Sequence, residues 1–181
     1  MKYTVVDGHC DTPMELWLRQ ENLRSNTCQV SLERAKKLSG YVQFYAFCTV
    51  WLEQDGSFEA HYAAALEHFN RQLDENKDQI VRCKNEADAR AAIGSGKCGA
   101  FLSIEGAEAI SCDPGKLELA CAQGVRMINP VWNLKNALAG SCMTGEGFTA
   151  GNRNEALYLS LRVLPEAAPG AYDGALTVTA G

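Results

Sequence analysis

Short apolar runs alternating with amphipathic segments constrain this chain more than any other feature. Tyr3 to Val6 reads as a buried strand stopped by Asp7-Gly8, and Thr12-Pro13 opens a helix through about Gln20. Tyr41 to Leu52 reads as a second strand. The clearest helix follows, from Phe58 to about Asn76, with Phe58, Tyr62, Leu66, Phe69 and Leu73 recurring every three or four positions as one stripe. Glu86 to Ile93 reads as a short helix capped by Asn85 and stopped by Gly94. A third strand, Gly99 to Ile104, comes next, then a helix from Asp113-Pro114 to Gly124 and a fourth strand from Val125 to Val131. Strand, helix, strand at this spacing implies βα units, a parallel sheet and helices packed outside it. Near-continuous apolar strands fit a sheet covered on both faces.

The rhythm stops at about residue 151. Leu157 to Leu164 is apolar, but Pro165 to Gly181 is rich in Ala, Gly and Pro and starts no further βα unit. The expected organisation is one α/β domain over residues 1–150 and a divergent tail over 151–181. The length, 181 residues, fits one domain.

Composition excludes several classes. With 17 Lys and Arg against 22 Asp and Glu, a net charge of -5 and no basic run, the chain lacks the clustered positive charge that binds nucleic acid. No run approaches the about 18 apolar residues of a membrane span, and Asp7 interrupts the N-terminus before a signal-length apolar stretch. The eight cysteines, at 10, 28, 48, 83, 98, 112, 121 and 142, form no C-x-x-C pair. They read mostly as small buried hydrophobes in a reducing, cytoplasmic compartment.

Chemistry concentrates where strands end. Asp7-Gly8-His9-Cys10-Asp11-Thr12-Pro13 directly follows the first strand, and functional side chains of parallel α/β proteins gather at the carboxyl ends of strands. If the strand continues, His9 and Asp11 share one face, so an imidazole and a carboxylate converge as ligands of zinc or a similar divalent metal. The other reading is a solvated turn. Glu105 closes the third strand and Gly106 lets the chain turn, which places a carboxylate at the same rim to bridge two metals; the other reading is an exposed strand-end acid. The fourth strand and the loop after it contribute Asn129, Trp132, Asn133 and Asn136, as substrate contacts or as turn formers around a core tryptophan.

Two motifs mislead. Gly94-Ser95-Gly96-Lys97-Cys98-Gly99 fits G-x-G-x-x-G but follows a helix and precedes a strand, the reverse of a phosphate-binding loop. Cys10 beside His9 resembles a thiol nucleophile, yet adjacent strand residues point to opposite faces, so a structural role is expected.

Four ordered segments carry a resemblance. They are Val6 to Pro13, Tyr41-Val42-Gln43-Phe44, Phe101 to Gly106, and Gly124 to Ile128 continuing through Trp132-Asn133 to Asn136. Together they resemble the N-terminal half of the membrane (renal) dipeptidase family, peptidase family M19, and Gly147-Phe148-Thr149 resembles the family's following G-L-T. The resemblance covers about residues 1–152. It implies the N-terminal half of a (β/α)8 TIM-barrel hydrolase with a binuclear zinc centre, cleaving dipeptides by attack of a metal-bound hydroxide.

Carried over by residue, His9 and Asp11 match the ligands of one zinc, and Glu105 matches the catalytic carboxylate bridging both. Trp132 stands where many members carry a substrate-binding histidine, and Asn133 adjoins it as a substrate-contact candidate. The family's second zinc takes two histidines from later strands. The histidines here are His9, His61 and His68, and the last two fall on the Phe58–Asn76 helix, away from its stripe and expected in water. The expectation is an incomplete dipeptidase copy that self-associates through open sheet edges. The alternatives are an inactive metal-binding remnant and a small α/β binding module.

Overall fold

The computed structural model describes residues 3–49, 58–141 and 143. Its elements run β1 (Thr4–Cys10), α1 (Thr12–Arg19), α2 (Leu32–Ala35), β2 (Gly40–Cys48), α3 (Phe58–Glu75), β3 (Ile80–Arg82), α4 (Glu86–Gly94), β4 (Cys98–Glu105), a 3-10 turn (Ala107–Ile110), α5 (Pro114–Gln123) and β5 (Val125–Asn129). All strand pairings are parallel. β1 pairs with β2 and β2 with β4; on the far edge of β4, β3 pairs at its start and β5 at its end. β1, β2, β4 and β5 therefore form a continuous wall, with β3 as a short insert at its amino end.

The helix boundaries follow local chemistry. Asn85 caps α4 by accepting a hydrogen bond from the Asp88 N–H. Asp113 caps α5 by accepting from the Gly115 N–H, and Gly124 closes that helix at φ 107°, a conformation that costs any other residue dearly. On α3, the predicted stripe faces the sheet at Tyr62, Leu66, Phe69 and Leu73. Phe69 packs on Tyr45 with ring centroids 4.8 Å apart and on Phe47 at 6.0 Å, and Tyr62 meets Phe47 edge-on at 5.5 Å. These rings, with Leu102, Ile104 and Ile80, form the core between sheet and helices.

The sheet's second face carries the residues that alternate with that core. Register rows set Val6 beside Val42 and Gly99, Phe44 beside Phe101, Ala46 beside Ser103 and Met127, and Cys48 beside Glu105 and Asn129. Phe44 and Phe101 stack at 4.8 Å there, while Val6 and Met127 are exposed. This is the inner face of a barrel wall, with its polar residues at the carboxyl rim.

Several sequence expectations need correction. β1 does not stop at Asp7-Gly8 but runs on to Cys10, because an irregularity between Asp7 and Cys10 absorbs an extra residue. β2 ends at Cys48 and β5 at Asn129, each earlier than expected, and residues 50–52 of the expected second strand lie outside the described residues. α2, β3 and the 3-10 turn are too short for periodicity to register. His68 is not in water: it is buried, within 3.4 Å of the Glu21 carbonyl through Nε2, and Arg71 donates to its Nδ1 at 2.9 Å. His61 is half-buried with its ring 5.5 Å from Trp17. Both histidines face α1 and the segment after it, which the helix's own periodicity does not reveal. The tail over 151–181 lies outside the described residues. No described helix is long and apolar enough to cross a membrane.

Candidate metal centre

The bulge in β1 decides where His9 points. Asp7 aligns with Gln43, and Cys10 with Tyr45, so three steps along β1 match two along β2. Plain alternation from Val6 would send His9 to the helix side; the extra residue turns it to the inner face and sends Cys10 in beside Tyr45. Asp7 holds the bulge, its Oδ1 accepting the His9 N–H at 3.1 Å. The Cys10 thiol is pushed up to about 12, chiefly by burial, which leaves it protonated and inert as a nucleophile.

Asp11 lies just beyond the strand at the N-cap of α1. Its carbonyl accepts from the Met14 and Glu15 N–H groups at 3.0 and 3.2 Å, but its side chain caps nothing. A carboxylate at a position that favours side-chain capping is instead turned toward His9. From β4, Glu105 rises at the same rim, and Gly106 at φ 92° turns the chain away immediately after it.

His9 Nε2 lies 3.5 Å from Asp11 Oδ1 and 3.5 Å from Glu105 Oε2. One ligand atom from each of the three residues falls within 4.8 Å of the others, a grouping of His, Cys, Asp or Glu found at no other place among the described residues. Both 3.5 Å separations exceed good hydrogen bonds, which run to about 3.2 Å, so the atoms surround a space rather than bond one another. His9 and Asp11 side chains are 44% and 48% exposed and Glu105 16%, leaving a solvent path to two ligands against a more enclosed third. Burial pushes the Glu105 carboxyl up and Asp11 adds to this, while His9 and a hydrogen bond from Cys48 oppose it. Two carboxylates facing one space is the electrostatic arrangement a cation relieves.

His9, Asp11, Glu15, Cys48, Glu105 and Trp132 line a cleft of about 240 Å³. Glu15 is occupied by Arg19 at 2.6 Å. Larger grooves exist, one beside β3 and one between α3 and the 3-10 turn, but neither gathers ligands this way. Of the polar residues after β5, Trp132 walls the cleft. Asn133 is half-buried, with its carbonyl accepting from Ser141 Oγ at 2.6 Å. Asn136 organises its own loop, donating to Glu108 Oε1 and the Pro130 carbonyl and accepting from Leu138 and Ala139. Sequence reasoning missed Cys48, because it ran the second strand on to Leu52 and so left Cys48 inside it rather than at its end.

Comparison with known proteins gives the same lineage. The profile of the membrane dipeptidase family, peptidase family M19, matches residues 1–157. Among solved structures, the chain resembles a dipeptidase described as a family M19 metallopeptidase, with TM-score 0.66, 21% identity, and coverage of 83% of this chain and 48% of that one. It also resembles a metallopeptidase from Rhodobacter sphaeroides liganded with a phosphinate mimic of the dipeptide L-Ala-D-Ala (TM-score 0.64, 20% identity, 83% and 51% coverage). A third is a probable dipeptidase from Pseudomonas aeruginosa (0.62, 18%, 76% and 37%). The chain spans about half or less of these structures' length. Sharing their fold over that span, and matched by the family profile over most of its residues, the chain belongs to the membrane dipeptidase family and presents the N-terminal half of its barrel.

Proposed function

We propose that His9, Asp11 and Glu105 bind a zinc ion in a dipeptidase active site, and that the chain supplies one side of a dipeptide-hydrolysing centre. The observation carrying this reading is the spacing of the donors. Zinc–ligand bonds of about 2.0–2.2 Å in a tetrahedral site put neighbouring ligand atoms about 3.3–3.6 Å apart, and the two edges from His9 Nε2 are 3.5 Å. One nitrogen and two carboxylates leave a coordination position open, as catalytic rather than structural sites do.

Bound there, zinc would supply Lewis-acid polarisation of the scissile carbonyl and acidify water. The chain's own residues do the rest. His9 offers an imidazole nitrogen from the bulged strand, and Asp11 and Glu105 supply carboxylate ligands for a dication. Glu105, the more enclosed acid, sits deepest and is the candidate bridging and catalytic carboxylate. Trp132 closes one wall over the cleft and gives a substrate side chain an apolar surface, with Asn133 following it in the same loop. The substrate class is a dipeptide, on the strength of the family and of the dipeptide-mimic complex of one structural relative.

The test is hydrolysis of simple dipeptides, L-Ala-D-Ala among them, by the zinc-loaded chain, read as free amino acids released. Turnover abolished by His9→Ala and by chelation supports the reading. A second reading, a metal-binding chain without turnover, is favoured by the single ligand group among the described residues and by coverage of about half of each relative. Zinc binding dependent on His9 with no release of amino acids would select it. We further propose a cytoplasmic setting, a family-like domain over residues 1–150 with a divergent tail over 151–181, and self-association through the open edges of β1 and β5.

A further inference from the structure

We propose that Cys48 is a positioning residue of this centre, its thiol holding the Glu105 carboxylate in the orientation that faces His9. The inference rests on the proposed metal site and adds a residue that neither motif nor family match singles out. Cys48 is the last residue of β2 and aligns directly with Glu105, the last of β4. Residues in register on neighbouring parallel strands project from the same face, so the two side chains leave the sheet side by side. Cys48 is 2% exposed yet lines the cleft with His9, Asp11 and Trp132, so its sulfur stands behind the ligands rather than in solvent. From that register position the thiol is placed to donate to the Glu105 carboxylate, and a hydrogen bond from Cys48 is among the influences that oppose the upward push of burial on that carboxyl.

The physical need is plain. A glutamate reaches its metal through three rotatable bonds, and among the described residues Glu105 has no ion pair apart from its approach to His9. A donor fixed by sheet register removes part of that freedom before the ion arrives. Such outer contacts to metal ligands command about 10- to 100-fold in affinity. The thiol itself stands outside the grouping of ligand atoms formed by His9, Asp11 and Glu105, so it acts through Glu105 rather than on the ion.

The experiment titrates the full chain with cobalt(II), followed by its visible ligand-field absorption against a competing chelator, for wild type, Cys48→Ser, Cys48→Ala and His9→Ala. Unfolding midpoints without metal run alongside. Cys48→Ser keeps a donor and is expected within about threefold of wild type, whereas Cys48→Ala loses at least about tenfold with its fold intact. Should Cys48→Ala not fold, Cys48→Thr and Cys48→Val, matched in shape and differing in the hydroxyl, make the same comparison. Equal affinity of the Ala variant and wild type overturns the proposal, as does a Ser variant as weak as Ala. A sulfur-to-cobalt charge-transfer band present in wild type and lost in Cys48→Ser also overturns it, because the Cys48 thiolate would then be a ligand. Cobalt binding that survives His9→Ala overturns the metal centre and this inference with it, whereas binding lost in His9→Ala but unchanged in Cys48→Ala overturns only the role of Cys48.

Discussion

Replacing Glu105 by glutamine is expected to have opposite effects with and without metal. Without metal, burial and the facing Asp11 carboxylate hold the Glu105 carboxyl above its ordinary value of 4.5. A raised acid binds its proton more tightly folded than unfolded, so its favourable contribution is complete below the ordinary value and is lost as pH rises through the folded one. At neutral pH the ionised carboxylate therefore costs stability, and Glu105→Gln, neutral and similar in shape, removes that cost. The metal-free variant is expected to be at least as stable as wild type at pH 7, the difference closing toward acid.

Zinc reverses the order. At a free concentration 100 times its dissociation constant, zinc stabilises wild type by about 2.7 kcal/mol. At roughly 2–4 °C per kcal/mol for a chain of this size, the midpoint rises by about 5–11 °C. If loss of the ligand weakens binding about 100-fold, the same zinc adds only about 0.4 kcal/mol to the variant, a rise of about 1–2 °C. The assay is thermal unfolding of both proteins with and without zinc at two pH values. A variant that zinc stabilises as much as wild type refutes the assignment of Glu105 as a ligand. A metal-free variant clearly less stable than wild type at pH 7 refutes the electrostatic argument.

Deleting Gly8 is expected to restore regular pairing of β1 with β2, turn His9 to the helix side and abolish His9-dependent metal binding; binding retained at wild-type affinity would show that the bulge does not aim the ligand. Phe69→Ala removes a fully buried ring wedged against Tyr45 and Phe47 and is expected to cost about 3–5 kcal/mol in denaturant unfolding, whereas a loss below 1 kcal/mol would mean that α3 does not seat on the sheet as described. Hydrogen bonds from Lys116 and Ser111 hold the exposed Glu59 carboxyl below its ordinary value. Its contribution is present above that value and lost as pH falls through the folded one, so wild type and Glu59→Gln should converge in unfolding midpoint toward acid and at high salt. A difference that widens on acidification would contradict this.

The elements that sequence resolves here are those whose signal is periodic or local. The stripe on α3, the Asn85 and Asp113 caps and the turn at Gly124 each depend on neighbours within a few residues, and each stands where expected. The two histidines of α3 show the limit: periodicity places them off the stripe but cannot show that α1 and the segment behind it come to cover that flank. Three-residue β3 has no period to read and exists because Cys98–Ala100 offers it an edge. At the site, the residue types at strand ends mark His9, Asp11 and Glu105 as candidates, and the structure brings the three together for a reason that was only half legible. Alternation along the strand places His9 and Asp11 together; in the structure Asp11 has left the strand, and a bulge beside Gly8 turns His9 inward. Cys48 went unread because its role comes from register with a strand 50 residues away, which no local pattern encodes.

X-ray absorption of the zinc-loaded chain tests the central claim most directly, because the cysteines give zinc an obvious competing home. A nitrogen and oxygen shell at about 2.0–2.2 Å, with an imidazole signature that disappears in His9→Ala, is the expected result. A sulfur shell near 2.3 Å, or a spectrum unchanged by His9→Ala, would contradict a centre built from His9, Asp11 and Glu105.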